Sequence, residues 1–241
     1  MLRGGEPFRR VGCSSATISD DDATHALLSA LSRLPAPDRS ALGVCGLMAP
    51  HPTFSRFDMT AIDLSLARSI DTFALEDVVF RPEETGDAAA IDAIHDVTFG
   101  PGRYSRTAFR LREGHAPDGP TSLVAVYRGN VIGSVRLTAI SVGDTPALLL
   151  GPLAVLPALK SLGVGKALMR LSVEAARQRH HRLVVLVGDL PYYWPFGFRV
   201  VPAGRLQLPG PVDPARLLWA ELAPGASEGV AGPVKATGPA A

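Results

Sequence analysis

Between residues 148 and 178 an apolar β-rich run, a proline-interrupted loop and a turn carrying two glycines lead straight into an amphipathic helix. Few folds accommodate that order. The run LLLGPLAV marks a buried strand, and the helix pattern over Val164–Gln178 sets Val164, Leu168, Leu171 and Ala175 on one stripe, so it packs on a sheet. A strand that hands over to a helix start through glycine builds an anion site. The first N–H groups of a helix lack intrahelical partners, and the helix dipole is positive at that end. The charges agree with this reading. First turns favour Asp and Glu, yet Lys160, Lys166 and Arg170 gather here and no acid appears before Glu174. Lys166 and Arg170 are also a like-charged i,i+4 pair, unfavourable by about 0.3 kcal/mol on an isolated helix. A bound polyanion reverses the sign of both effects.

The elements alternate on either side of this segment. Residues 78–81 read as a strand and 83–99 as a helix with Ile91, Ile94 and Val97 on one face. A second short helix is expected over 104–112. Runs 122–127 and 131–140 are β-rich and joined at Arg128-Gly129-Asn130, a hairpin tip. After the strand at 147–155 and the helix come the apolar strand Leu183–Val187, a short helix near Tyr192 and a strand from Phe198. This is α/β: a mixed central β-sheet flanked by helices, antiparallel early and partly parallel later. Residues 1–75 show no sustained periodicity beyond Leu27, Leu31 and Leu34, which sit at helical spacing behind Ser19 and Asp20 and mark one short helix, and they form a poorly ordered extension in this reading. A true start near Met59 is the second reading of the same stretch. Residues 76–223 are the folded domain, and 224–241 a flexible Pro/Gly/Ala tail.

Composition removes several function classes. A net charge of +1 over 241 residues gives no global field for nucleic acid or an anionic membrane. Cys13 and Cys45 make neither a metal spacing nor a disulfide framework, which suits a reducing cytoplasm. No run approaches the ~18 apolar residues of a membrane span, no signal-peptide core opens the chain, and Glu6 with Asp20, Asp21 and Asp22 argues against a transit peptide. No His/Cys cluster suggests a metal.

The turn itself says which anion fits. A nucleotide-triphosphate loop fails at both ends, because Lys160 stands where its first glycine belongs and Ala167 where its hydroxyl residue belongs. A dinucleotide fingerprint would need glycine at Leu168 and an acid about twenty residues further on. What remains is Lys160, Ser161, Leu162, Gly163, Val164 and Gly165, which is similar to the [QR]-x-x-G-x-[GA] pyrophosphate loop of the GNAT superfamily of acetyl-coenzyme A-dependent N-acetyltransferases. Lys160 replaces Gln or Arg, and Ser161 stands where many members have glycine. Both changes are mild, because backbone N–H groups do most of the holding in such loops. Downstream, Gly188-Asp189-Leu190-Pro191-Tyr192-Tyr193-Trp194-Pro195-Phe196-Gly197-Phe198 resembles the family segment in which a tyrosine stands four residues before Gly-Phe. Tyr193 holds that position. The resemblance, to a bacterial predicted-acetyltransferase branch, spans about residues 78–201 and more weakly reaches Leu222.

The resemblance implies the GNAT fold and an N-acetyltransferase that moves acetyl from acetyl-CoA, as co-substrate, to an amine. It implies a splayed strand end at Leu153, Ala154 and Val155 pairing with the pantetheine arm, and Gly151-Pro152 fits a splay because proline removes a ladder donor. Lys160 to Gly165, with Lys166, would anchor the pyrophosphate. The leaving thiolate needs a nearby acid still protonated at neutral pH, and a tyrosine, at about 10 unperturbed, qualifies. Tyr193 is the expected catalytic acid, with Tyr192 its rival. No general base is visible. Asp189 reads as the N-cap of the short helix, with a catalytic role as its second reading, His180-His181 as a helix end, and Arg136 as part of a solvated sheet face, with the acceptor cleft as its second reading. The acceptor is a small-molecule or peptide amine, and a homodimer is compatible with the reading. The alternative function is a non-catalytic acyl-CoA-binding or interaction module with the same fold.

Overall fold

The computed structural model describes residues 73–240. The short helix near Leu27 and the start at Met59 fall outside the described residues. Strands are β1 (Val79–Pro82), β2 (Leu123–Tyr127), β3 (Asn130–Val142), β4 (Thr145–Val155), β5 (Leu183–Val187), β6 (Arg199–Val200), β7 (Leu206–Gln207), β8 (Leu217–Glu221) and β9 (Gly232–Ala236). Helices are α1 (Ala88–Phe99), α2 (Thr107–Arg112), α3 (Val164–Gln178) and α4 (Leu190–Tyr193). The main path across the sheet is β1-β2-β3-β4-β5-β8-β6, antiparallel at every step except β4–β5.

Local chemistry accounts for the hairpins. β2 and β3 meet at Arg128 and Gly129, both at positive φ (49° and 79°), the backbone that a tight two-residue turn demands. β3 and β4 turn at Gly143, where an added Cβ would lie 2.7 Å from the Ala231 carbonyl oxygen. Only glycine lets those segments approach so closely. β5 reads LVVLV, and its first four residues are buried, as a central strand covered on both faces requires. Leu149, Leu183, Val185 and Trp219 join one core cluster with Leu111 of α2. Their alternates Leu148, Val184, Leu186 and Leu218 are equally buried, which places them on the opposite face by strand alternation.

Several expectations need correction. The stretch from 224 is built into the sheet: β9 pairs with β3 at Ile140–Val142 and with β7 at Leu206 and Gln207. On α1 the third buried position is His95, not Val97, which is 44% exposed. On α3 Ala176 is buried and Ala175 only half-buried, because the face in contact with the sheet is turned slightly from the simple stripe. The strand expected from Phe198 is only two residues long. The described structure also begins before residue 76, with the Phe73 ring packed on Tyr127 at 5.0 Å.

One feature of the sheet opens the site. β4 pairs with β5 only at Leu148↔Val184 and Leu149↔Val185. β4 then runs on from Leu150 to Val155 paired in the sheet only with β3, with a register shift between Val135 and Leu137, and the Val155 carbonyl also accepts a bond from Thr98 Oγ1 at 3.5 Å. From Leu150 onward the two parallel strands have parted, leaving the β5-facing edge of β4 without ladder partners.

Candidate active site

A cavity of about 1540 Å³ opens at this parting. Leu150, Gly151, Pro152, Leu153 and Val155 of β4 line one wall, and Val187, Gly188, Asp189, Tyr192 and Tyr193 line another. The loop before α3 closes one end through Lys160, Ser161, Gly163, Gly165 and Lys166. Residues of α1 and α2 close the other, among them His95, Thr98, Phe99 and Arg112.

The start of α3 is an uncapped helix end. Its N-cap is Gly163 in the left-handed region (φ 92°), no side chain caps the free N–H groups, and the first turn holds no acid. The Gly163 carbonyl accepts the first helical bond, from Ala167 N–H at 3.0 Å. Ser161 is also left-handed (φ 67°), so the backbone curls tightly ahead of the helix. Lys160 and Lys166 form no ion pair among the described residues. Three residues expected in this site present little side chain to it. Ala154 and Val164 are buried in the core, and Leu162 is exposed outside the lining. Only their backbone groups are available to a ligand.

The tyrosines sit where β5 leaves the sheet. Tyr193 is half-buried, stacked edge-on with Tyr192 at 4.9 Å and with Phe198 at 5.8 Å. A side chain on Gly188 would collide with the Tyr193 ring, so glycine there seats the phenol in the cavity wall. Burial, with smaller contributions from Tyr192 and Asp189, pushes the Tyr193 phenol up to about 12. It therefore keeps its proton throughout the neutral range. Tyr192 reaches elsewhere: its hydroxyl would stand 3.0 Å from a Cβ on Gly165, near the start of α3. Asp189 occupies the N-cap position of α4, but its side chain does not cap. It pairs with Arg216 at 3.1 Å, which corrects its expected role.

Arg136 does not lie on a solvated face. Its guanidinium grips Glu83 with two bonds of 2.8 and 2.5 Å, and the pair is largely buried at the cavity edge. Nearby, His95 is 5% exposed and its Nε2 lies 3.3 Å from Ser134 Oγ. Burial, with the charges of Arg136, Arg112 and Arg103, pulls the imidazole down from 6.5 to about 4. So weak a base does not serve as the general base at neutral pH. Its position was legible in the sequence, since Ile91, Ile94 and His95 follow the i, i+3, i+4 rule. Arg112 carried no such signal.

The His95 shift has a measurable consequence. A group whose folded pKa lies below its unfolded value contributes stability that is full above pH 6.5 and lost as pH falls through about 4. The shift corresponds to roughly 3 kcal/mol. His95→Gln keeps a partner for Ser134 without the titration, so denaturation curves should lose much of their dependence between pH 6.5 and 4. Curves for the two proteins that stay parallel across that window would contradict the assignment.

Comparison with known proteins follows the same outline. The family model for the acetyltransferase (GNAT) family matches residues 89–194. An uncharacterized N-acetyltransferase of Escherichia coli K12, YjhQ, is 29% identical over 136 residues, covering 55% of this chain and 75% of that protein. The crystal structure of the E. coli GNAT family N-acetyltransferase YhbS in complex with CoA is 27% identical with a TM-score of 0.58, covering 67% of this chain and 90% of that one. A GNAT family acetyltransferase from Brucella melitensis in complex with acetyl-CoA is 31% identical with a TM-score of 0.46, covering 58% of this chain and 94% of that one. No helix among the described residues is long and apolar enough to cross a membrane.

Proposed function

We propose that this chain, which belongs to the GNAT acetyltransferase family and is an acyl-CoA-dependent N-acyltransferase, transfers acetyl from acetyl-CoA to an amine by direct attack on the thioester. One observation carries the reading. The uncapped, acid-free start of α3 and the unpaired edge of β4 open into a single cavity, with a half-buried phenol on its wall. The E. coli relative solved with CoA supports the identity of the donor.

The chain's groups divide the work as follows. The free N–H groups of Val164, Gly165 and Lys166, with the Lys160 and Lys166 ammonium groups, hold the pyrophosphate. The β4 edge from Leu150 to Val155 lacks a ladder partner on one side, so its backbone is available to the amide groups of the pantetheine arm. An N–H of the same edge can polarise the thioester oxygen, which becomes an oxyanion as the amine adds. The neutral amine attacks the carbonyl carbon, a C–N bond forms, the C–S bond breaks, and the nitrogen gives up its proton. Tyr193 stands at the wall where the thiolate departs. At about 12 its phenol is a weaker acid than an ordinary tyrosine. Its main contribution is a hydrogen bond that strengthens as charge builds on sulfur; the proton then passes to the thiolate, and the proton that the amine releases is returned to the phenol through water. The amine proton leaves through water.

Calorimetric titration of CoA into the full chain tests the donor site. Saturable heat with competition by excess pyrophosphate is expected, and an absence of binding would overturn the reading. A non-catalytic acyl-CoA-binding module predicts the same heat, and turnover separates the two.

A further inference from the structure

We propose that the acceptor amine carries a carboxylate, and that Arg112 binds it beside Gly151, at the end of the cavity remote from the helix start. The inference rests on the acyl-transfer reading and adds the chemical class of the acceptor. Arg112 is the last residue of α2, and its guanidinium lies against β4, with Nη1 3.3 Å from where a Cβ on Gly151 would stand. Glycine at 151 makes room for it. Among the arginines that line this cavity, Arg103 pairs with Asp96, Arg136 with Glu83 and Arg216 with Asp189, while the Arg106 guanidinium lies over the Phe99 ring at 5.5 Å. Arg112 alone in that set has no hydrogen-bond acceptor, counter-charge or ring partner among the described residues, although it is half-buried. Its immediate acidic neighbour, Glu113, is exposed and makes no bond to it.

A second observation points the same way. The corner holding Arg112 is electropositive enough that the charges of Arg136, Arg112 and Arg103 all act against protonation of His95. Burial and the Arg136 charge pull Arg112 itself down to about 10, so it remains cationic at neutral pH. A guanidinium fork with five donors and no acceptor matches a carboxylate, which accepts two parallel bonds and neutralises the corner. The donor's phosphates do not reach it. Gly151 lies four residues back along β4 from Val155, about 13 Å at the rise of an extended strand, and the helix start lies beyond Val155.

The test uses the full chain with saturating acetyl-CoA and reads thiol release. Acceptors are α-amino acids, β-alanine and 4-aminobutyrate, each beside its own carboxamide. Expected is at least one acid that exceeds its amide about tenfold in kcat/KM, although the amide's amine is the less protonated. Arg112→Gln should raise KM for that acid about tenfold or more, well beyond its effect on the amide, with kcat changing less. Arg112→Lys keeps the charge without the fork and should fall between the two, which preserves the test if the Gln variant folds poorly. Amides that equal or exceed their acids throughout, or the absence of turnover with every acid, would overturn the proposal. Calorimetry with CoA on the same samples tells the two failures apart. Heat without acid preference leaves the donor site standing, and no heat removes both.

Discussion

Tyr193→Phe is expected to lower kcat by about 10²–10⁴ while CoA affinity and melting temperature stay nearly unchanged. The reason lies in what the substitution removes. The ring keeps its packing against Tyr192 and Phe198, and only the hydroxyl of this cavity-lining side chain is lost. In the proposed mechanism that hydroxyl interacts most strongly with sulfur in the transition state, so its loss should appear in kcat and not in binding. Because burial raises the phenol to about 12, no alkaline loss of activity from this group should appear below about pH 11. The same shift sets its effect on stability. A folded pKa above the unfolded one gives stability that is complete below pH 10 and lost as pH rises through about 12. Tyr192→Phe is the control, since its hydroxyl approaches Gly165 at the helix start and should affect turnover far less. If Tyr192→Phe were the damaging change, the acid would be the wrong tyrosine. If neither mattered, the proton would come from water.

Gly163→Val should weaken CoA binding by about a hundredfold or more, equivalent to roughly 2.7 kcal/mol. Two effects add. The backbone at 163 is left-handed (φ 92°), a region in which a β-branched residue is strained, and its new Cβ would approach Leu75 Cδ2 to 3.1 Å. The loop must therefore move, and with it the free N–H groups at the start of α3. Calorimetry on protein shown to be folded checks the expectation, and an unchanged affinity would remove the loop from the donor site.

Much of this architecture is written in local sequence. Val164–Gln178 and Leu183–Val187 are helix and strand over the very residues that the pattern indicates, because a glycine start and a short valine-rich apolar run leave little choice. The Arg128-Gly129 hairpin follows from turn chemistry. β9 was illegible for the opposite reason. GPVKA has the composition of a loop, and it becomes a strand only because the end of β3 offers an open edge and Pro233 accepts a bond from Gly143 N–H at 2.9 Å. β8, LLWAE, is too short for its period to tell helix from strand, and its pairing with β5 is decided across thirty or more residues of chain. The same distinction holds in the site. Glycines and lysines at a helix start announce an anion from sequence alone. Arg112 acquires meaning only when α2 is laid against Gly151, and Arg136 only when β1 brings the neighbouring Glu83 to it.

The central claim, catalysis and not mere binding, is tested most directly by following free thiol as acetyl-CoA is mixed with the full chain and pools of primary amines. The account predicts thiol release that depends on the amine, is matched by N-acetylated product, and is lost with Gly163→Val. Tight CoA binding with no amine-dependent thiol release from any pool would contradict it, and would make this a binding module that keeps the fold without the chemistry.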